Sequence, residues 1–361
     1  MNASPSISFG DVGECRFLHA AGNESLWQEA LLRAPVQPVG YHRCHIDYQH
    51  AYFSQVFSEY FRLDQLIFHG DRLIALWPLA AYKREDEWVI SSHINGSPGI
   101  APPLHVSSLT EKPAKHLLEA WATALAALAN RLGQCPSIRV NTQAPSIQIT
   151  DWQRRLLLLG AGSRLRHRMV VDLTLPPEET HRQLRKSYKA LINQAKRLWA
   201  VSIDDIGDAP AFSAFQALHE TVAGRKTRHQ TTWDEQFASI QAKAAFAVYL
   251  YEPDGQLIGA SLYNLSRDEA YYAVGAYDRK LFDRPVAHLS LDSAIGHARN
   301  LGCRQFILGD RPFPGDLIPP NEKEAKIAFF KEGFATSLQF LPDFVLSTAA
   351  LPIPSLQGTS A

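Results

Sequence analysis

Asp310 and Lys331 are the two residues of this chain whose types and placement best suit acid–base or charge-stabilising chemistry. The run Arg304-Gln305-Phe306-Ile307-Leu308 reads as a strand that stops at Gly309-Asp310. A Pro-rich loop follows, then a helix-like segment closing with Phe329-Phe330-Lys331-Glu332-Gly333-Phe334. An acid is therefore expected at a strand end, where open α/β sheets commonly carry catalytic groups. The lysine falls three and four residues after Ala328 and Ile327, at the border of an apolar helix face. There it must snorkel, pair with an acid or point into a cavity. Gly-Asp before Arg-Pro is also an ordinary turn signal, so a purely structural acid stays open.

The elements that must position this pair occur twice. A helical run ends at Asn130-Arg131-Leu132-Gly133 and leads into Ile138-Arg139-Val140-Asn141; a second ends at Arg299-Asn300-Leu301-Gly302 and leads into Phe306-Ile307-Leu308. Both glycines fall where a left-handed cap requires the absence of Cβ. Each copy continues with a short helix ending in Gly160 or Gly333 and an apolar strand, and each is preceded by a hairpin, with turns at His69-Gly70-Asp71 and Pro253-Asp254-Gly255. The order hairpin, strand, helix, strand, short helix, strand thus repeats. Aligning Gly333 with Gly160 sets Lys331 opposite Leu158, a cation where the first copy is apolar.

Composition bounds the rest. The chain has 361 residues, 46% hydrophobic and 20% charged, with 36 basic and 36 acidic residues balancing to zero, as in soluble globular proteins of two domains or fused halves. Zero net charge excludes whole-surface attraction to nucleic acid or anionic membrane. No apolar run is long enough to span a bilayer, and the N-terminus lacks a signal-peptide pattern. Cys15, Cys44, Cys135 and Cys303 form no Cys-x-x-Cys pair, which fits a reducing, cytoplasmic setting. His42, Cys44, His45 and His50 match no regular zinc spacing, so no metal is expected. The segment 348–361 reads as a disordered tail.

Between the copies, Thr174-Leu175-Pro176-Pro177-Glu178-Glu179 opens a helix with Leu184, Tyr188, Leu191, Ile192, Ala195 and Leu198 on one face. Arg182, Arg185, Lys186, Lys189, Lys196 and Arg197 lie on the other, a solvated face or a surface for phosphate. A second helix leads into Gly224-Arg225-Lys226-Thr227-Arg228-His229, a loop that suits an anion clamp or simple solubility.

Residues Val170 to Leu346 resemble the FemAB-like branch of the GNAT acyltransferase superfamily. The resemblance runs through Val170-Val171-Asp172-Leu173, the basic helix ending Asn193-Gln194-Ala195-Lys196-Arg197, and Glu220-Thr221 through Arg228. It continues through Leu257–Leu262, Ala270-Tyr271-Tyr272 and the closing Phe330-Lys331-Glu332-Gly333-Phe334. It implies an α/β fold (α+β, mixed sheets) of two tandem GNAT-like domains: a diverged domain over 1–165 and an acyltransferase domain over 166–347. The implied activity is transfer of an acyl group to a primary amine of an amino sugar or cell-envelope precursor. The donor is acyl-CoA, a co-substrate rather than a tightly bound cofactor, or alternatively aminoacyl-tRNA. A catalytically inactive binding module is the reading from another class; DNA is not expected as a partner.

Under this resemblance Lys331 stabilises the oxyanion or holds a donor phosphate, Asp310 orients or deprotonates the amine, and His288 is a second candidate base. Arg225 and Arg228 are expected to bind substrate, as is one of Tyr271 and Tyr272, neighbours on a strand that point to opposite faces. The chain departs from the family where the CoA pyrophosphate would sit: Tyr277–Pro285 contains no glycine. Arg279, Lys280 and Arg284, with the amides of the following helix start, are the expected phosphate ligands. The long helical arm that some members insert is absent.

Overall fold

The computed structural model describes residues 9–146, 148–316 and 319–351. The first elements are β1 (Gly10–Val12), β2 (Cys15–His19), α1 (Glu24–Arg33), α2 (Arg43–Val56), β3 (Tyr60–Arg62), β4 (Gln65–His69), β5 (Arg72–Trp77), β6 (Ala80–Arg84) and β7 (Glu87–Ser91). Then come β8 (Leu104–His105), α3 (Glu111–Leu132), β9 (Ser137–Asn141), α4 (Asp151–Leu158) and β10 (Gly162–Asp172). The second half continues with α5 (Pro177–Gln183), α6 (Lys186–Leu198), β11 (Ala200–Asp204), α7 (Ala209–Ala223), α8 (Gln230–Gln241), β12 (Ala245–Tyr251) and β13 (Leu257–Leu265). It ends with β14 (Glu269–Tyr277), α9 (Val286–Asn300), β15 (Gln305–Asp310), α10 (Glu322–Glu332) and β16 (Ser337–Ser347).

The chain forms two compact units, Met1–Val36 with Phe53–Leu165 and Leu341–Ala361, and Gln37–Tyr52 with Arg166–Phe340. Two segments therefore cross over relative to the sequential division at 165/166. In the first unit β1-β2-β4-β5-β8 form one sheet and β3-β6-β7 another. Its core gathers Leu117, Trp121, Leu125 and Leu128 of α3 against Ile67, Ile74 and Trp77. Thr348–Ala350 form a single helical turn and Leu351 is buried, although the sequence reading placed these residues in the tail; 352–361 lie outside the described residues.

In the second unit the strands run β11-β12-β13-β14-β15-β10. β14 and β15 pair in parallel and the other neighbours antiparallel. Helices α7 and α8 cover one face, with Phe212, Phe215, Trp233 and Ile240 on Ala247, Tyr249, Leu262 and Val274. Tyr188 and Ile192 of α6 and Leu291, Ala294 and Ala298 of α9 cover the other, against Phe246, Tyr263, Phe306 and Leu308. Each large aliphatic or aromatic side chain removed from water here contributes about 1.5–3 kcal/mol. Gly133 and Gly302 have φ of 76° and 86°, the conformation their place after the helices demands.

The helix expected from Thr174 to Leu198 is two helices. Leu184 and Arg185 are extended (ψ 144° and 133°), and the Arg185 amide donates to the Gly333 carbonyl at 2.9 Å instead of continuing the helix. Two cations of its expected basic face are paired: Arg182 with Glu179 at 3.0 Å and Lys196 with Asp292 at 2.7 Å. All four cysteines are free thiols. Among the described residues no helix is long and apolar enough to cross a membrane.

Candidate active site

The site grows from the place where β14 and β15 part. The two strands pair only at Glu269, Ala270 and Tyr271 with Gln305, Phe306 and Ile307. β14 then runs on to Tyr277 and β15 to Asp310 without each other. Among the described residues no strand pairs with that side of β14 beyond Tyr271, an edge able to pair with another extended chain.

Lys331 reaches this opening from the last turn of α10. Its Nζ lies 3.9 Å from the centroid of the Tyr272 ring, a cation on an aromatic face. It also lies 3.8 Å from where a Cβ on Gly309 would stand. Gly309 has φ of 112°, a conformation open essentially to glycine. Burial pushes the Lys331 ammonium down to about 8, partly opposed by the Asp310 carboxylate. At pH 7 the group is mostly protonated and poorly hydrated, the state in which an ammonium stabilises nearby negative charge most strongly.

The end of α10 is itself locked. The Arg185 Nη2 donates to the Phe329 carbonyl at 2.8 Å, and the Tyr188 hydroxyl donates to the Phe330 carbonyl at 2.9 Å. With the Arg185 amide on Gly333, residues from α6 and its preceding turn satisfy three carbonyls at the C-terminal end of α10. Arg185 also stacks on Phe329, 3.8 Å from the ring centroid, and donates to the Tyr188 hydroxyl at 2.9 Å. These contacts fix the turn that carries Lys331. In the sequence Arg185 falls on the cationic face and Tyr188 on the apolar face of the expected helix, and neither is singled out as part of the site.

Asp310, expected to orient or deprotonate the amine, lies near the lysine as a charge that raises its pKa. It stands in register with Arg168 across β15 and β10, and its charge also raises Tyr271. The Asp310 carboxylate pairs with Arg166 at 3.2 Å. It acts on Lys331 as a nearby charge and not as a partner across an opening. Tyr272 is the tyrosine beneath the ammonium, and burial holds its hydroxyl well above its ordinary pKa. Tyr271 projects to the opposite face, where burial and then Asp310 raise it to about 12.

His288 sits in an aromatic box, 4.5 Å from the Tyr188 ring, 4.9 Å from Phe330 and 6.1 Å from Phe334. Burial, reinforced by Arg185, lowers it to about 4, so the ring is neutral at pH 7 and a weak base. Arg228 is held in place: it donates to the Tyr48 hydroxyl at 3.1 Å and to Gln236 at 3.2 Å, with its guanidinium 4.7 Å from the Trp233 centroid. Arg225 is exposed. Arg279 and Lys280 lie in a single turn ahead of α9, and they and Arg284 are exposed. Pro285, the N-cap residue of α9, gives the helix start no side-chain cap. The His42–His50 segment holds no metal-type cluster among the described residues; the His45 ring hydrogen-bonds the Leu265 carbonyl at 3.2 Å.

Residues 181–316 match the acetyltransferase (GNAT) domain family. The solved structure of FemX superposes with a TM-score of 0.63 at 11% identity, covering 91% of this chain and 96% of that one. The C-terminal domain of a putative lysylphosphatidylglycerol synthetase from Agrobacterium fabrum gives 0.58 at 12% identity, covering 90% and 91%. A tandem GNAT protein from the clavulanic acid biosynthesis pathway gives 0.50 at 12% identity, covering 93% and 99%. No curated protein matches the sequence. The chain shares the fold of these GNAT-type structures.

Proposed function

We propose that this protein is an N-acyltransferase that moves an acyl group from acyl-CoA to the primary amine of an amino sugar or cell-envelope precursor, with Lys331 at the reaction centre. The observation that carries this reading is the Lys331 ammonium seated on Tyr272, beside Gly309, at the parting of β14 and β15. An extended donor arm with amide groups suits the free edge of β14. Its phosphates suit the start of α9, where Arg279, Lys280 and Arg284 add charge. The acyl carbonyl then falls near the ammonium.

In the reaction the amine nitrogen attacks the thioester carbonyl carbon, forming the C–N bond and a tetrahedral oxyanion. The ammonium stabilises that oxyanion in a site where water competes weakly. The C–S bond breaks as the carbonyl re-forms, and the proton lost by the amine ends on the departing sulfur. Neither Asp310 nor His288 is arranged as a strong base, so the amine enters neutral or passes its proton to water. Aminoacyl-tRNA is the second donor class, the alternative that the FemAB-like resemblance of the sequence implies.

Incubation with acetyl-CoA, or with aminoacyl-tRNA, and a panel of amino sugars and envelope precursors tests the reading, scored by mass. A gain of one acyl group with release of free CoA supports it. Transfer from aminoacyl-tRNA alone selects the second donor, and transfer from neither overturns the activity.

A further inference from the structure

Away from Lys331, in the first unit, three metal-binding side chains converge. Glu14 lies in the turn between β1 and β2, His69 ends β4, and His116 lies in the second turn of α3. One ligand atom from each falls within 4.8 Å of the others. His69 Nε2 and His116 Nδ1 are 3.2 Å apart, with the rings tilted by 33°. Two nitrogens on a tetrahedral zinc ion, each bound at about 2.0–2.1 Å, are separated by about 3.3 Å. The two imidazoles already stand at that spacing.

We propose that Glu14, His69 and His116 form a binding site for a divalent transition-metal ion, zinc foremost, with water in the fourth position. A hydrogen bond between the rings accounts for their separation but not for a carboxylate converging on the same point. Two imidazoles and one carboxylate suit zinc and not the oxygen-seeking calcium or magnesium. Both histidines stand on regular elements and Glu14 directly precedes one. Cys15, which follows Glu14, is in register with His69 across β2 and β4, and Leu117, which follows His116, is buried in the core. Glu14 is exposed and His69 and His116 half-buried, so an ion has a path in and the carboxylate can close by the roughly 1.5 Å that a zinc tetrahedron requires. The ion would tie the β1–β2 turn and the end of β4 to α3, and would stabilise the fold by binding only its folded form.

The test uses the full chain without an affinity tag, stripped with chelator and titrated with zinc chloride by calorimetry, with metal analysis after dialysis. One zinc per chain and a raised Tm are expected. His69→Ala and His116→Ala should lose the ion, and Glu14→Gln should weaken it by about tenfold or more. Circular dichroism confirms that each variant is folded. Because Glu14 is exposed, Glu14→Gln decides the assignment even if a histidine variant fails to fold. A wild type that retains well under one zinc per chain, or an unchanged affinity in Glu14→Gln, overturns the proposal.

Discussion

The ring of Tyr188 occupies the volume that any side chain at residue 333 would need: a Cβ built on Gly333 would lie 2.3 Å from Tyr188 Cε2. Gly333 has φ of −64°, so its backbone would suit other residues, and the close approach of the ring is what demands glycine. Gly333→Ala should therefore cost about 1–3 kcal/mol by overpacking and displace the turn that carries Lys331. Chemical denaturation and initial rates measured together check this. Tyr188→Phe, which keeps the ring and loses two hydrogen bonds, to Arg185 and to the Phe330 carbonyl, should cost about 1–3 kcal/mol and retain most activity.

The Lys331 ammonium, held down to about 8 by burial, is lost as pH rises through that value. Activity that depends on it should fall on the alkaline side. Asp310 raises this pKa, so Asp310→Asn should move the alkaline limb to lower pH without abolishing turnover. A pH–rate profile of wild type and variant checks both. An unmoved limb would show that the limb belongs to another group.

Arg225 and Arg228 should separate cleanly. Arg225 is exposed, so Arg225→Ala should leave Tm unchanged and act, if at all, on KM. Arg228 holds Tyr48, Gln236 and the Trp233 face together, so Arg228→Ala should lower stability by about 1–3 kcal/mol through these lost contacts. Thermal melts distinguish the two.

Burial lowers His45 to about 3, far below the ordinary histidine value. Between that value and about 6.5 the unfolded chain binds a proton that the folded chain refuses. Stability is therefore present above about 6.5 and lost as pH falls, by about 1.4 kcal/mol per pH unit for this residue. His45→Gln should flatten the dependence between pH 6.5 and 5 by about 2 kcal/mol, read from urea unfolding at both values.

Much of this architecture was legible from local chemistry. The turns at Gly70 and Gly255 and the caps at Gly133 and Gly302 need backbone conformations that glycine supplies, and the repeated element order followed from them. What was not legible depends on contacts between distant residues. The break at Leu184–Arg185 contains neither glycine nor proline and exists because Gly333 takes the Arg185 amide. The register of Asp310 with Arg168 depends on the register shift between Met169 and Val170. The crossing of residues 37–52 into the second unit rests on contacts such as the Val39 amide to Glu269 at 2.9 Å, 230 residues away, which leave no periodic trace. Lys331 could be singled out because a charge stood where the first copy is apolar. Its seat on Tyr272 could not, because strand alternation alone does not say which tyrosine faces α10.

The central claim is that the Lys331 ammonium stabilises the charge that develops on the acyl oxygen. The most direct test is kcat/KM of Lys331→Ala with the donor and amine that the wild type uses, alongside its Tm. A fall of roughly 10²–10³-fold, the usual effect of removing one oxyanion donor, is expected in a protein that melts like the wild type. A folded variant within about threefold of the wild-type rate, under 1 kcal/mol of transition-state stabilisation, would contradict it.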